Sequence, residues 1–133
     1  MLPRKMLTLQ DVQAIAAAAQ AEAESNGWKV SIAICDDGGH LLHFQRLDGA
    51  PLTTIAISQG KARTSAFGRR PSKAFEDIIA NGRHAFLSVP DLVLLEGGEP
   101  ILADGICIGA VGVSGVTSAQ DAQIARAGIA ALG

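Results

Sequence analysis

Arg46-Leu47-Asp48-Gly49-Ala50 joins a guanidinium to a carboxylate two positions on, where a strand gives way to a tight turn. Both groups then stand near a sheet edge, and a guanidinium there can grip a ligand carboxylate with two parallel hydrogen bonds. The plain alternative is an Arg46–Asp48 pair that only braces the turn. Lys61 and Thr64 lie three apart on one face of the helix that follows. Glu96-Gly97-Gly98-Glu99 places carboxylates beside bare backbone N–H groups at Gly97 and Gly98, which suit close approach to a ligand or a neighbouring subunit. Ser114, in Gly112-Val113-Ser114-Gly115, resembles part of a nucleophile elbow, but no histidine partner is placed for it by sequence. A hydroxyl satisfying a strand end is its simpler role.

His40 and His43, three apart in a strand, point to opposite faces and form no chelating pair. His84 follows a helix exit. One imidazole is nonetheless enough to hold haem iron, so any one of the three would suffice chemically as an axial ligand. Cys35 and Cys107 are 72 positions apart and match no metal-ligand spacing, which points to buried thiols in a reducing compartment. No Walker loop, dinucleotide fingerprint or HExxH pair is present, and no metal site is expected.

These residues need a scaffold, and hydrophobic periodicity supplies its outline. Leu9, Val12, Ile15, Ala16, Ala19 and Ala23 recur at helical spacing behind a Thr8 cap, predicting a helix from about Leu9 to Ser25 with Asn26-Gly27 as its stop. Lys29 to Cys35 alternates as a strand, Asp36-Asp37-Gly38-Gly39 turns, and His40 to Arg46 returns, which predicts a hairpin. Thr53 or Thr54 caps a second helix that ends at Gly68. Pro71 and Ser72 open a third, with Ala74, Phe75, Ile78 and Ile79 inward and Asn81-Gly82 as its exit. Glu96 to Pro100 reads as a turn, followed by strands over Ile101–Ala103 and Ile106–Val113 around Asp104-Gly105. Ser118-Ala119-Gln120-Asp121 opens the last helix. Hairpins separated by helices demand antiparallel pairing, so the fold class is α+β, an antiparallel sheet flanked by helices.

The 133 residues suit a single domain, and 48% hydrophobic against 18% charged residues require a packed core. A formal charge of −2 gives no electrostatic footprint for nucleic acid or an anionic membrane, so neither is an expected partner. No export signal or spanning segment is read, and the expected location is the cytoplasm. With 4% aromatics, the core of Ala, Ile, Leu and Val must pack closely, and a homo-oligomer is expected to complete its burial.

Asp37-Gly38-Gly39-His40-Leu41-Leu42, Arg46 to Ala50, Gly60-Lys61-Ala62, Leu95 to Ile101, and Gly109 to Gly115 followed by Gln120-Asp121 together resemble the GlcG/HbpS family. That family includes the C-terminal haem-binding part of PduO-type proteins, and the similarity covers about residues 7–132. The resemblance implies a profilin-like α/β/α sandwich, homo-oligomers, and haem or another small ligand bound in some members. Leu47, where Met is usual, and Ala122, where an acidic residue is frequent, depart from the pattern.

The expectation is an oligomeric small-ligand-binding protein that binds or degrades haem. Arg46, Asp48, Lys61, Thr64, Gly97, Gly98 and Ser114 are its candidate binding residues, with His43 or His84 as the axial group if the guest is haem. The alternative is an enzyme of a catabolic operon acting on a small carboxylated metabolite by hydrolysis, deamination or tautomerisation. There Arg46 binds the carboxylate and Glu96, Glu99 or Asp121 moves protons. Both readings expect the side-chain-poor stretches at 97–98 and 109–115 to leave a hollow for the guest.

Overall fold

The computed structural model describes residues 1–133. α1 (Leu9–Ser25) is closed at its start by a reciprocal capping box: Asp11 N–H donates to the Thr8 hydroxyl at 3.1 Å, and Thr8 N–H donates to the Asp11 carboxylate at 2.8 Å. β1 (Ser31–Asp36) and β2 (Leu41–Arg46) form the predicted hairpin. α2 (Thr53–Gly68) and α3 (Lys73–Ala80) follow, then a 3-10 helix, His84–Ser88. β3 (Gly98–Ala103) and β4 (Ile106–Ser114) make a second hairpin, whose turn holds Asp104 and Gly105 both at positive φ. α4 (Ser118–Ala130) has its own capping box, between Thr117 and Gln120.

The four strands lie in the order β2-β1-β4-β3 with every neighbour antiparallel. α1 and α4 cover one face, over a core that includes Ile15, Ile32, Ile34, Val111, Val113 and Ile124. α2 covers the other, over a thinner layer of Ala33, Cys35, Ala62, Ala66 and Ala110. The small residues let helix and sheet approach closely. A Cβ on Gly112 would stand 2.1 Å from the Ser58 carbonyl oxygen and 2.4 Å from Ala62 N, so only glycine fits there.

Three expectations need correction. No Thr side chain caps α2: the Thr54 hydroxyl donates to Pro51 O at 2.6 Å and lies 2.8 Å from the buried Ser31 hydroxyl, leaving Leu52 at the N-cap. β3 begins at Gly98, three residues early, because Gly98 pairs with Gly112 and places its bare face against α2. None of the apolar stripe on α3 is fully buried within the chain.

Candidate functional site

The register gathers the candidate residues at one end of the sheet. Ser31, at the start of β1, faces both Arg46 at the end of β2 and Ser114 at the end of β4, and Gly98 opens β3 beside Gly112. With strands about 4.8 Å apart, the β2 and β3 edges stand roughly 15 Å from one another. Two constellations result, one at each edge.

At the β3 edge Lys61 runs from α2 past the end of the sheet. Its Nζ donates to Val113 O at 3.0 Å and to Asp121 Oδ2 at 3.1 Å, with both side chains 3% exposed. Val116 N–H donates to the other Asp121 oxygen at 3.1 Å. Each oxygen of Asp121 thus already accepts one internal hydrogen bond. Burial pushes the Asp121 carboxyl above its usual range, opposed by the Lys61 ammonium. Glu99 is also raised, first by burial, while Arg126 at 3.1 Å pulls it down. Glu96 is half-buried and adds negative charge that raises both.

The glycines beside this cluster are filled by the chain itself, which corrects the expected hollow. A Cβ on Gly97 would meet Lys61 Nζ and Val113 O, each at 2.7 Å, and one on Gly98 would meet the Lys61 carbonyl oxygen at 2.2 Å. Gly97 holds φ +134, beyond the easy reach of other residues. Thr64 is fully buried and its hydroxyl is used internally, donating to Gly60 O and accepting from Val93 N–H. Ser114 is 7% exposed at the end of β4.

At the β2 edge the structure opens. Gln20 and Glu24 of α1, Gly27, Trp28 and Lys29 of the following turn, and Gln45 to Asp48 line a cleft of about 510 Å³. Arg46 and Asp48 thus share one concavity, yet no ion pair joins them and neither belongs to any salt bridge of the chain. The turn-bracing alternative therefore falls away. Behind the cleft His43 Nε2 lies 2.8 Å from Gln45 Oε1, an oxygen that only accepts, so the imidazole donates. Gln45 Nε2 donates to Gln20 Oε1 at 2.9 Å, and Gln20 Nε2 donates to Glu24 Oε1 at 2.8 Å. Four side chains on two elements form one hydrogen-bond chain running in a single sense.

Of the residues that line this cleft, sequence reasoning singled out Arg46 and Asp48 but not Gln20, Glu24, Trp28, Lys29 or Gln45. Two signals were available: Gln20 and Glu24 are spaced i, i+4 on a helix, and His43 and Gln45 are i, i+2 on one strand face. Their convergence depends on how α1 crosses β2, which no local pattern encodes.

Haem requires an apolar slot, an axial ligand and cations. The cleft has Arg46 and Lys29, but only Trp28 and Leu47 are apolar, and His43 Nε2 is already bonded to Gln45. A cavity of about 590 Å³ lined by Leu7, Ile101, Ile108 and Ile129 is more apolar and has no histidine. His84 is exposed on the 3-10 helix. Neither of these two cavities, as one chain forms it, fits haem.

A family model described as "Haem degrading protein HbpS-like" matches residues 7–130. Protein GlcG of Escherichia coli strain K12 is 53% identical over 114 residues, covering 86% of this chain and 85% of that protein. An uncharacterised 15.0 kDa protein of Citrobacter freundii is 33% identical, with 90% and 87% covered. Among solved structures, a double mutant of Streptomyces reticuli HbpS superposes with a TM-score of 0.92 at 32% identity, covering 100% of this chain and 91% of that one. A PduOC–haem complex superposes with a TM-score of 0.86 at 27% identity, covering 96% and 95%.

Proposed function

The chain belongs to the HbpS-like family, and from that premise we propose that it is a small-ligand-binding protein whose guest occupies the cleft between α1 and β2. The observation that supports this most is the pairing of an open concavity with charges that have no internal partner. Arg46 and Asp48 line it without bonding each other, while His43, Gln45 and Gln20 hold one another in fixed orientation. Such preorganised polar groups in a concave site match how proteins orient small molecules. A thermal-shift screen of small carboxylates and amines tests it. Hits should raise the melting temperature of the wild type and lose that effect in Arg46→Met; hits indifferent to Arg46 would contradict the reading.

Haem is a second reading, favoured by the haem-bound structural neighbour. Since neither of those two cavities fits it, haem would lie between the surfaces of two copies. A hemin titration should then give a saturable Soret shift that is lost in His43→Ala or in His84→Ala. Loose, unsaturable association would end that reading. We further infer a cytoplasmic homo-oligomer. Leu87, exposed on the 3-10 helix beside the incompletely buried stripe of α3, and Phe67, exposed on α2, support self-association, and no helix is long and apolar enough to cross a membrane.

A further inference from the structure

We propose that the cleft between α1 and β2 selects a small zwitterion, a molecule carrying one ammonium and one carboxylate on a body that lies against Trp28. The inference rests on the reading of this cleft as the ligand site and adds the charge class. Four charged side chains line it, Lys29 and Arg46 against Glu24 and Asp48, so the lining is neutral overall and bears both signs. None of the four belongs to any of the chain's ion pairs.

A dianion that reaches both cations also meets two carboxylates, and a dication that reaches both carboxylates also meets two cations, each at a Coulombic cost in a partly enclosed site. A ligand with one charge of each sign meets complementary partners at both ends. Lys29 is held to the turn that carries Asp48, because its stem crosses the bare face of Gly49. A Cβ there would stand 2.8 Å from Lys29 Cδ and 3.2 Å from Nζ, and Gly49 has φ +85. The chain of donors from His43 to Glu24 points each amide dipole the same way, fixing Gln45 and Gln20 as neutral hydrogen-bonding groups between the charged ones. Trp28 packs on the core and presents an indole to the cleft, a flat surface for an apolar body.

Trp28 is the only tryptophan, so intrinsic fluorescence reports on this site alone. L-Phenylalanine, 2-phenylethylamine and 3-phenylpropionate share one body and differ only in charged groups. L-Phenylalanine should give a saturable change, and either half-molecule should bind about tenfold weaker or worse, the equivalent of one charge-assisted hydrogen bond. Arg46→Met should bring phenylalanine down to the level of phenylethylamine, and Asp48→Asn to that of phenylpropionate. These residues are exposed, and near-UV circular dichroism checks that the variants keep their fold.

Equal affinity for either half-molecule, or no saturable response to phenylalanine, overturns the proposal. If phenylpropionate binds as well as phenylalanine and depends on Arg46, the cleft remains the ligand site and only its charge class is wrong. If no probe binds and thermal-shift hits ignore Arg46, the site itself is wrong.

Discussion

Lys61 and Asp121 tie the two helical layers together across the end of the sheet, each almost wholly removed from water. Removing one partner of such a pair strands the other, so Lys61→Met should cost about 3–5 kcal/mol in urea unfolding. Adding Asp121→Asn to that variant should recover part of the loss. The raised carboxyls of Asp121 and Glu99 give a pH dependence with a definite sign. In each, the folded state holds its proton more tightly than the unfolded chain, so the folded state binds more protons just above the ordinary carboxylate range. That contribution to stability is present at low pH and is lost as pH rises through the raised values. Glu99→Gln should flatten this part of the stability profile, measured by unfolding at several pH values. The Cys35 thiol, pushed up to about 12 chiefly by burial, should be inert to thiol reagents in the native state.

Within the elements, close approach of α2 to the sheet is the feature that tolerates least change. Gly112→Ala places a methyl against backbone atoms of Ser58 and Ala62, and α2 must shift to admit it. A cost of at least about 1–3 kcal/mol is expected in chemical unfolding. Thr8→Ala, which removes only the α1 capping hydroxyl, should cost about 1 kcal/mol. The boundaries of α1 were legible because the cap, the apolar stripe and Asn26-Gly27 agree. The start of α2 was legible to within a residue but its cap was not, because Thr54 spends its hydroxyl on Ser31 and Pro51 rather than on the helix end. The 3-10 helix at 84–88 carries too short a pattern to announce itself. The glycines mislead for a deeper reason. Sequence records where bulk is missing, but Lys61, Ser58 and Ala62 fill that space, and they arrive from distant positions.

For the molecule as a whole, alternation and turn chemistry disclosed the α+β class, and five ordered motifs disclosed the family. The proposed site was half legible. Arg46 and Asp48 announce themselves in one turn, while the wall formed by Gln20, Glu24 and Trp28 exists only once α1 crosses β2. Self-association also belongs to this scale. Light scattering coupled to size-exclusion chromatography should show a multiple of 13.7 kDa for the wild type and a smaller species for Leu87→Asp, which places a charge on an apolar surface that is 64% exposed.

Amide chemical-shift mapping with a ligand found by thermal shift tests the central claim most directly. Shifts concentrated at residues 20–29 and 43–48 are predicted. Shifts concentrated instead on the β3–β4 hairpin around 101–108, or on the 3-10 helix at 84–88, would contradict it.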